Sequence, residues 1–304
     1  MQVAVSGATG FVGSALARAL AEAGHVVTAL TRRPEQYLGA GDPVGFDIGD
    51  PSTLRTALEG QDVAYYLVHS LANVGFSVED RLGADAFACA ANDAGLAQVI
   101  YLGGLGDSTD DLSEHLRSRR EVESILLAGA PTTALRAGLV IGDGGISWEI
   151  LRQLVERLPM MVTPRWVQTR TQPISLGDAL AALVGVLGRR EAIGETYEIG
   201  GPEVLTYRSM MVTAARVMGR RRLIVPVPLL SPRLSSHWLR LVTDVDLQTA
   251  RALIDSMTNE VVVRDHRIVD LLGPANTTFA TAVEQALAAR AARVEREAGQ
   301  RAAD

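Results

Sequence analysis

The sequence predicts an α/β fold: a Rossmann-type, doubly wound parallel sheet followed by a smaller, irregular C-terminal substrate region. Strand-type apolar runs alternate with amphipathic helical stretches up to about residue 142, a pattern typical of a parallel sheet covered by helices. The first strand also leads directly into a glycine-rich turn and then a helix. The chain has 304 residues, of which 47% are apolar, so it can bury a sizeable core.

The first strand-type run, Gln2–Val5, continues into the segment SGATGFVG, where a helical pattern begins. Glycines in this strand–turn–helix context are typical of dinucleotide binding, because they permit a tight turn and close approach of a pyrophosphate. The helix N-terminus then presents backbone N–H groups to the phosphates. A turn of small residues without a ligand is the alternative. The predicted cofactor contacts in this turn are Gly7, Thr9, Gly10, Phe11, Val12 and Gly13.

The second strand-type run, His25–Leu30, is followed by Thr31-Arg32-Arg33-Pro34. A site that prefers NAD usually has an acidic residue in this neighbourhood to bind the ribose hydroxyl. Here two arginines take its place, and they can bind the 2′-phosphate of NADP through charge-assisted hydrogen bonds. We therefore predict that Arg32 and Arg33 make the site prefer NADP(H) over NAD(H). Solvated loop arginines are the alternative interpretation.

Further cofactor contacts are expected where later strands end, because ligands of open α/β sheets bind beyond the carboxyl ends of the strands. The run Asp62–Val68 has no period-2 alternation, which predicts burial on both faces. A histidine follows it, although a lone histidine at a strand end is more often a structural hydrogen-bonding group. These additional predicted contacts are Asp47, Ile48, Val68, His69 and Ser70.

The remaining elements suggest three regions. Helical patterns at 79–94 and 112–127 alternate with strand-type runs at 98–102 and 132–136, whereas prolines and amphipathic helices dominate after residue 142. The C-terminal part surrounds one short apolar run at 196–199, and we interpret it as a cover over the substrate. The predicted regions are a dinucleotide-binding domain at 1–145 with a return near 170–190, a substrate-covering region at 146–280, and a C-terminal helix or tail at 281–304.

Composition excludes several classes of protein. The net charge of −6 argues against a nucleic-acid partner. The single cysteine, Cys89, excludes an internal disulfide framework, fits a reducing cytoplasm and is predicted to be a small buried residue. No leader-like segment and no apolar run long enough to span a membrane is present, so we expect a cytoplasmic protein. No metal-ligand motif, nucleophile elbow or Walker A lysine occurs.

The segment GATGFVG, the parallel α/β order and the GGP turn near residue 200 resemble the short-chain dehydrogenase/reductase superfamily. The strings AYYLVHSL, IYLGGLG, HLRSR, LPMMVTPRWVQTRTQPI and YEIGGPEVLTY are similar to those of atypical bacterial members described as NAD(P)H-binding or epimerase-like. The likeness extends to about residue 265. It implies an NAD(P)H-dependent oxidoreductase acting on a small or lipid-like substrate, with a homodimer as one expectation for its assembly.

The catalytic set of the superfamily is Ser, Tyr and Lys, and this chain departs from it. The resemblance places the Tyr position on His115 and the Lys position on Arg119, and it places the Ser position in Gly103-Gly104, which has no hydroxyl. Ser118 and Glu123 keep two residues that are common around the lysine. Arg119 cannot donate a proton, whereas His115 can exchange one near neutral pH. His115 and Arg119 are therefore the predicted catalytic residues, with Arg119 also binding the nicotinamide ribose.

Two functions are consistent with these residues. The first is a reductase or redox isomerase in which the Arg119 cation keeps His115 mostly neutral. The second is a non-catalytic NADP(H)-binding sensor or assembly factor, which the missing Ser and Tyr favour. Tyr66 and Tyr101 are alternative proton donors, although their place in strands predicts core positions. A weaker hypothesis is that the amphipathic segment 233–242 touches a membrane surface, the alternative being a helix packed over the substrate pocket.

Overall fold

The computed structural model describes residues 1–69, 75–106, 111–226 and 247–303. The chain forms two compact units. Unit 1 comprises Met1–Ala137, Ala179–Ile199 and Val263–Pro274. Unit 2 comprises Gly138–Asp178, Gly200–Val262 and Ala275–Asp304.

Strands and helices are numbered here along the chain. The strands are β1 Gln2–Ser6, β2 Val26–Thr31, β3 Asp42–Gly45, β4 Val63–Tyr66, β5 Gln98–Gly104, β6 Thr132–Ala137, β7 Val140–Ile141, β8 Met160–Thr163, β9 Arg170–Thr171, β10 Ile174–Ser175, β11 Thr196–Ile199, β12 Leu205–Thr206 and β13 Leu223–Pro226. The α-helices are α1 Phe11–Glu22, α2 Pro51–Leu58, α3 Phe76–Asp93, α4 Glu114–Gly129, α5 Ile146–Arg157, α6 Leu176–Gly185, α7 Tyr207–Val217, α8 Leu247–Ser256, α9 Arg267–Leu272 and α10 Phe279–Ala303.

Unit 1 contains a seven-stranded parallel sheet in the order β11-β6-β5-β4-β1-β2-β3. This confirms the predicted Rossmann-type fold. Every residue of β4 is buried, as expected for a central parallel strand with both faces covered. The side chains of Tyr66, Phe87 and Tyr101 pack between this sheet and its helices.

The short apolar run at Thr196–Ile199 is the seventh strand of this sheet, where it pairs in parallel with β6. The sequence alone placed it in the C-terminal region, because a four-residue run does not reveal its distant pairing partner. Hydrogen bonds tie the preceding segment to the sheet as well. The Tyr65 hydroxyl donates to the carbonyl of Leu183 at 3.0 Å, and the Gln98 amide donates to the carbonyl of Val186 at 3.0 Å.

Unit 2 is built mainly from helices around its own apolar core. Helices α5, α7 and α10 contribute Trp148, Met210 and Val283, all fully buried. The first part of α10 is therefore a core element, and only its later residues form the exposed helix that the sequence predicted. Three short strand pairs, β7–β10, β9–β12 and β8–β13, complete the unit.

The prediction that Cys89 is buried was wrong, because its side chain is exposed. The buried stripe of α3 includes Ala84, Phe87, Ala88 and Ala91, and the helical period of 3.6 turns position 89 away from it. Among the helices of the described ranges, none combines the length and apolarity that crossing a bilayer requires. Segment 233–242 and Ser70 lie outside the described residues.

Candidate active site

The turn between β1 and α1 is shaped by backbone contacts that exclude side chains. Gly7 has a φ of +71°, which L side chains rarely adopt, and its carbonyl accepts a hydrogen bond from the N–H of Gly10 at 2.8 Å. A Cβ atom on Gly13 would lie 2.1 Å from the carbonyl oxygen of Gly7, and one on Gly10 would lie 3.1 Å from it. Glycine at position 13 is thus required for α1 to approach the turn.

The N-terminus of α1 remains open to a ligand. No side chain caps the helix at Gly10, and the N–H groups of a first helical turn have no intrahelical partners. Thr9 and Gly10 are exposed, while Phe11 and Val12 are half-buried. A cradle of backbone donors in which Cβ atoms are excluded fits the pyrophosphate of a dinucleotide. All predicted turn residues therefore lie together.

The end of β2 presents Arg32 and Arg33 to solvent. The backbone N–H of Arg33 donates to the Thr31 hydroxyl at 3.2 Å, which holds the first residues of the loop against the strand end. Within the described ranges, neither guanidinium takes part in an ion pair, so both charges are available to an anionic ligand.

The other predicted cofactor contacts fall at neighbouring strand ends. A Cβ on Gly7 would lie 2.9 Å from the carbonyl oxygen of Leu67, so the glycine turn is adjacent to the segment that carries Val68 and His69. After β3, Asp47 caps a turn by accepting a hydrogen bond from the N–H of Gly49 at 3.0 Å. Ile48 packs against α3, with its Cγ1 atom 2.6 Å from where a Cβ of Gly83 would stand.

A buried polar cluster joins α3 to α4. Arg119 Nη2 and Ser118 Oγ both donate to Asp80 Oδ2, each at 3.2 Å. The Arg119 and Asp80 side chains are only 8% and 3% exposed. Arg119 Nε is buried and has no hydrogen-bond partner among the described residues. The pair therefore neutralises the arginine charge while leaving a donor unused.

Asp80 was not among the residues predicted from the sequence. The available signal was its position on the buried stripe of α3, three and four residues before Gly83 and Ala84. A carboxylate on the apolar face of a helix requires a partner, because burial of an unpaired charge is unfavourable. The sequence did not show that Arg119, 39 residues away, is that partner.

Two tyrosines complete the floor of the cluster. The Tyr101 hydroxyl donates to the Arg119 carbonyl at 3.0 Å, and the rings of Tyr66 and Tyr101 lie 6.1 Å apart. Burial raises the pKa of Tyr101 to about 12, and burial together with the Asp80 charge raises the pKa of Tyr66 further. Both side chains are fully buried, which confirms the expectation that they belong to the core.

Two histidines border this cluster. Burial, reinforced by the positive charge of Arg119 and the neighbouring His69, lowers the pKa of His115 to about 3. Surrounding protein atoms and Arg119 lower the pKa of His69 to about 4, although part of its surface stays exposed to solvent. Both imidazoles are therefore neutral near pH 7. His115 Nδ1 is buried and, within the described part of the chain, has no hydrogen-bond partner.

Side chains crowd Gly103 and Gly104, the place where the resemblance predicts the family's serine. A Cβ on Gly104 would stand 2.9 Å from Leu116 Cδ2, and one on Gly103 would stand 2.7 Å from Tyr101 Cε1. Glu123 serves another purpose, because its carboxylate accepts a hydrogen bond from Arg136 Nε at 2.8 Å. Among the described residues, His115, Arg119 and His69 are the polar side chains at this cluster that we consider further.

Unit 2 contains a small apolar cavity of about 20 Å³ that is partly open to solvent. Four positions of α5 at helical spacing, Ser147, Ile150, Leu151 and Leu154, form one wall. The other lining residues are Leu139, Tyr207, Met211 and Met257. Apolar side chains with flexible methionines suit an alkyl group.

Comparisons with known proteins agree with this geometry. A family model described as NAD(P)H-binding matches residues 7–154. A ceramide reductase of Caulobacter vibrioides is 31% identical over 84% of this chain and 79% of its own length. A (4-alkanoyl-5-oxo-2,5-dihydrofuran-3-yl)methyl phosphate reductase of Streptomyces griseus is 28% identical over 72% of this chain and 74% of its length. The mitochondrial NADH dehydrogenase (ubiquinone) 1 alpha subcomplex subunit 9 of Arabidopsis thaliana is 28% identical over 66% of this chain and 54% of its length.

Solved structures share the whole fold. A short-chain dehydrogenase/reductase superfamily protein from Agrobacterium tumefaciens with bound NAD superposes with a TM-score of 0.71, at 16% identity, covering 98% of this chain and 99% of that one. Citrobacter sp. triphenylmethane reductase complexed with NADP(H) gives 0.75 at 18% identity, covering 94% and 100%. At these identities the structures establish the fold, and the 31% identical reductase establishes the relationship. This chain therefore belongs to the short-chain dehydrogenase/reductase superfamily, as an NAD(P)H-binding, epimerase-like oxidoreductase.

Proposed function

We propose that this protein is an NADP(H)-dependent reductase whose substrate is a carbonyl compound with an alkyl or acyl chain. The observation that carries the proposal is the pair of unused buried polar atoms, Arg119 Nε and His115 Nδ1, in the cluster on α4. Buried polar atoms are nearly always satisfied in folded proteins, and of the seven unsatisfied atoms in the described residues these two lie four residues apart on one helix face, which supports a ligand contact there. The named reductases with 31% and 28% identity support the same reaction class.

The cofactor is held by backbone and charge. The glycine turn at Gly7, Gly10 and Gly13 binds the pyrophosphate, and the exposed Arg32 and Arg33 bind the 2′-phosphate. A bound nicotinamide supplies the hydride for carbonyl reduction.

Arg119 acts as a fixed hydrogen-bond donor. Its Nη2 atom is held by Asp80, so Nε is presented without the freedom of an exposed side chain. In the family the lysine at this position binds the nicotinamide ribose, and we assign the same contact to Arg119. Because a guanidinium does not lose its proton, Arg119 does not take part in proton transfer.

His115 moves the proton. With a pKa of about 3 the imidazole is neutral at pH 7, and the tautomer with hydrogen on Nδ1 can donate to the oxygen of a carbonyl undergoing reduction. As the oxygen gains this proton, Nε2 accepts one from water, so the ring never becomes a buried cation. Acid–base help of this kind typically contributes about 10²–10⁴ in rate.

An alkyl or acyl chain in the substrate is proposed from the similar reductases, and unit 2 separately contains an apolar cavity. The reductases similar to this chain are named for ceramide and for an alkanoyl compound. The pocket lining is almost entirely apolar, with Ile150, Leu151 and Leu154 on one side and Met211 on the other. Each buried methylene contributes about 0.8 kcal/mol, so chain length governs affinity.

Calorimetry and turnover test the proposal together. NADPH should bind at least about tenfold more tightly than NADH, and the double variant R32Q/R33Q should remove the difference. Ketones of increasing alkyl length, added with NADPH, should show kcat/KM rising with each methylene. Gly10→Val should abolish NADPH binding while the fold persists. Equal affinity for both cofactors, or rates independent of chain length, would contradict the corresponding half of the proposal.

A second candidate is a non-catalytic NADP(H)-binding subunit or sensor. The observation that favours it is the 28% identity to a subunit of a mitochondrial NADH dehydrogenase. Such a protein needs the glycine turn and Arg119 but has no use for His115. If His115→Gln leaves every measurable property unchanged and no ketone is reduced, this second candidate replaces the first.

A further inference from the structure

Strands β8 and β13 of unit 2 expose an apolar face. Leu223 pairs directly with Met160, and their side chains are 59% and 57% exposed. Val225, two residues after Leu223 and so on the same side, is 38% exposed. The alternate residues Met161 and Ile224 are buried in the core. One side of this strand pair thus packs against the core of unit 2, while the other side exposes large apolar side chains to solvent.

Four arginines, Arg216, Arg220, Arg221 and Arg222, border this face. Arg222 Nε donates to the carbonyl of Val155 at 2.6 Å, and Arg220 Nη1 donates to the carbonyl of Glu156 at 3.1 Å. These contacts place Arg220 and Arg222 at the C-terminal end of α5, where the helix dipole favours cations. The backbone N–H of Arg220 donates a hydrogen bond to the carbonyl of Ala215. The backbone of Arg216, the next residue, is therefore close to that of Arg220.

Among the described residues, no carboxylate forms an ion pair with these arginines. Within the described ranges, none of the four takes part in an ion pair, and the carbonyl groups that they contact carry no net charge. The Glu156 side chain is already bound to Arg152. From residue 204 to residue 243 the sequence has no Asp or Glu, although the whole chain has a net charge of −6. The positive charge of this surface is therefore a local feature that opposes the sign of the molecule.

We propose that this face, formed by Met160, Leu223, Val225 and the four arginines, binds the surface of an anionic phospholipid bilayer. Arginine forks match phosphate oxygens, and apolar side chains beside them enter the boundary between head groups and acyl chains. A nucleic acid would use the arginines but not the exposed apolar side chains. The surface stands independently of the nucleotide site, and it would bring a reductase of alkyl-chain compounds to the phase in which they dissolve.

Vesicle sedimentation with the full chain tests the proposal. Vesicles of equal parts phosphatidylglycerol and phosphatidylcholine should sediment the protein, and vesicles of phosphatidylcholine alone should not. The variant R216Q/R221Q, which alters two exposed arginines, should weaken partitioning about tenfold or more, because each cation near an anionic surface contributes to binding. Leu223→Ser should weaken binding while preserving its sensitivity to salt.

The matched control is R18Q/R55Q, which removes two exposed charges from unit 1 and should bind vesicles as the unmodified protein does. NADPH binding by every variant reports whether the fold is intact, and it is independent of the vesicle result. The proposal is overturned if both vesicle types bind equally, or if the control loses as much binding as R216Q/R221Q. It is also overturned if single-stranded DNA binds and vesicles do not.

Discussion

The glycine turn and the α3–α4 polar cluster belong to the same unit and the same nucleotide-binding sheet, yet they relate to the family in opposite ways. The turn keeps its glycines, because Gly13 lies so close to the Gly7 carbonyl that no Cβ atom fits. The cluster differs from the family's catalytic set in the assignment that we propose, in which His115 and Arg119 take the Tyr and Lys positions and glycine takes the Ser position.

The difference teaches which functions a fold can alter. Phosphate binding depends on backbone geometry, which a single Cβ would destroy. Proton chemistry depends on side chains carried by a helix whose backbone tolerates substitution, so it can change while cofactor binding persists. A buried arginine at position 119 requires a carboxylate partner, and Asp80 is that partner.

The largest expected effect is on turnover, which should depend on the polar cluster, whereas the affinity for NADPH should depend on the glycine turn. His115→Gln should lower turnover by about 10²–10⁴ and leave the Kd for NADPH nearly unchanged, because the imidazole acts on the substrate oxygen. Single-turnover kinetics and calorimetry on one preparation would measure both quantities. A variant that loses cofactor affinity while keeping its rate would reverse the roles assigned here.

Gly13→Ala should do the opposite. Its new Cβ would meet the Gly7 carbonyl at 2.1 Å, and relieving that overlap must move the turn. We expect the Kd for NADPH to rise at least about 100-fold, since strain of about 3 kcal/mol falls on the binding geometry. Gly45→Ala, whose Cβ would have its nearest neighbour at 3.9 Å, is the matched control. Normal affinity in Gly13→Ala would show that phosphates bind elsewhere.

Asp80→Ala tests whether the cluster depends on its ion pair. Removing the carboxylate leaves the buried Arg119 charge uncompensated, which should lower the free energy of unfolding by about 3–5 kcal/mol. The double variant Asp80→Ala/Arg119→Met should regain part of the lost free energy of unfolding, because it has no buried charge without a partner. Glu191→Ala, which breaks an exposed pair with Arg189, should leave the free energy of unfolding nearly unchanged. Urea unfolding measures all four proteins, and similar losses for Asp80→Ala and Glu191→Ala would refute the buried pair.

The smallest expected effect is a pH dependence of stability. The pKa of His115 lies near 3 in the folded protein and about 6.5 when unfolded, so the unfolded chain binds more protons in between. Stability is complete above about pH 6.5 and falls as the pH drops toward 3, with a loss of up to about 2 kcal/mol at pH 5. His115→Gln should therefore lose less Tm than the unmodified protein between pH 7 and pH 5. Equal losses of Tm in the two proteins would show that the His115 imidazole is exposed to water.

The sequence by itself determined the parallel α/β fold, the glycine turn and the helix face that carries His115 and Arg119. Those features are local, because strand runs, helical spacing and a turn that only glycine can adopt are all read within a few residues. It also indicated that the Arg119 charge would disfavour a protonated His115, since the two residues are one helical turn apart.

Only the tertiary structure decided the features that join distant residues. Asp80 meets Arg119 across two helices, and β11 pairs with a strand about 60 residues earlier in the chain. Cys89 is exposed because the packing of α3, and not its alanine-rich composition, selects which side is buried. Arg220 and Arg222 donate hydrogen bonds to carbonyl groups at the C-terminal end of α5, 64 and 67 residues away in the chain. Each of these results depends on long-range packing, and no local pattern encodes the partner that packing supplies.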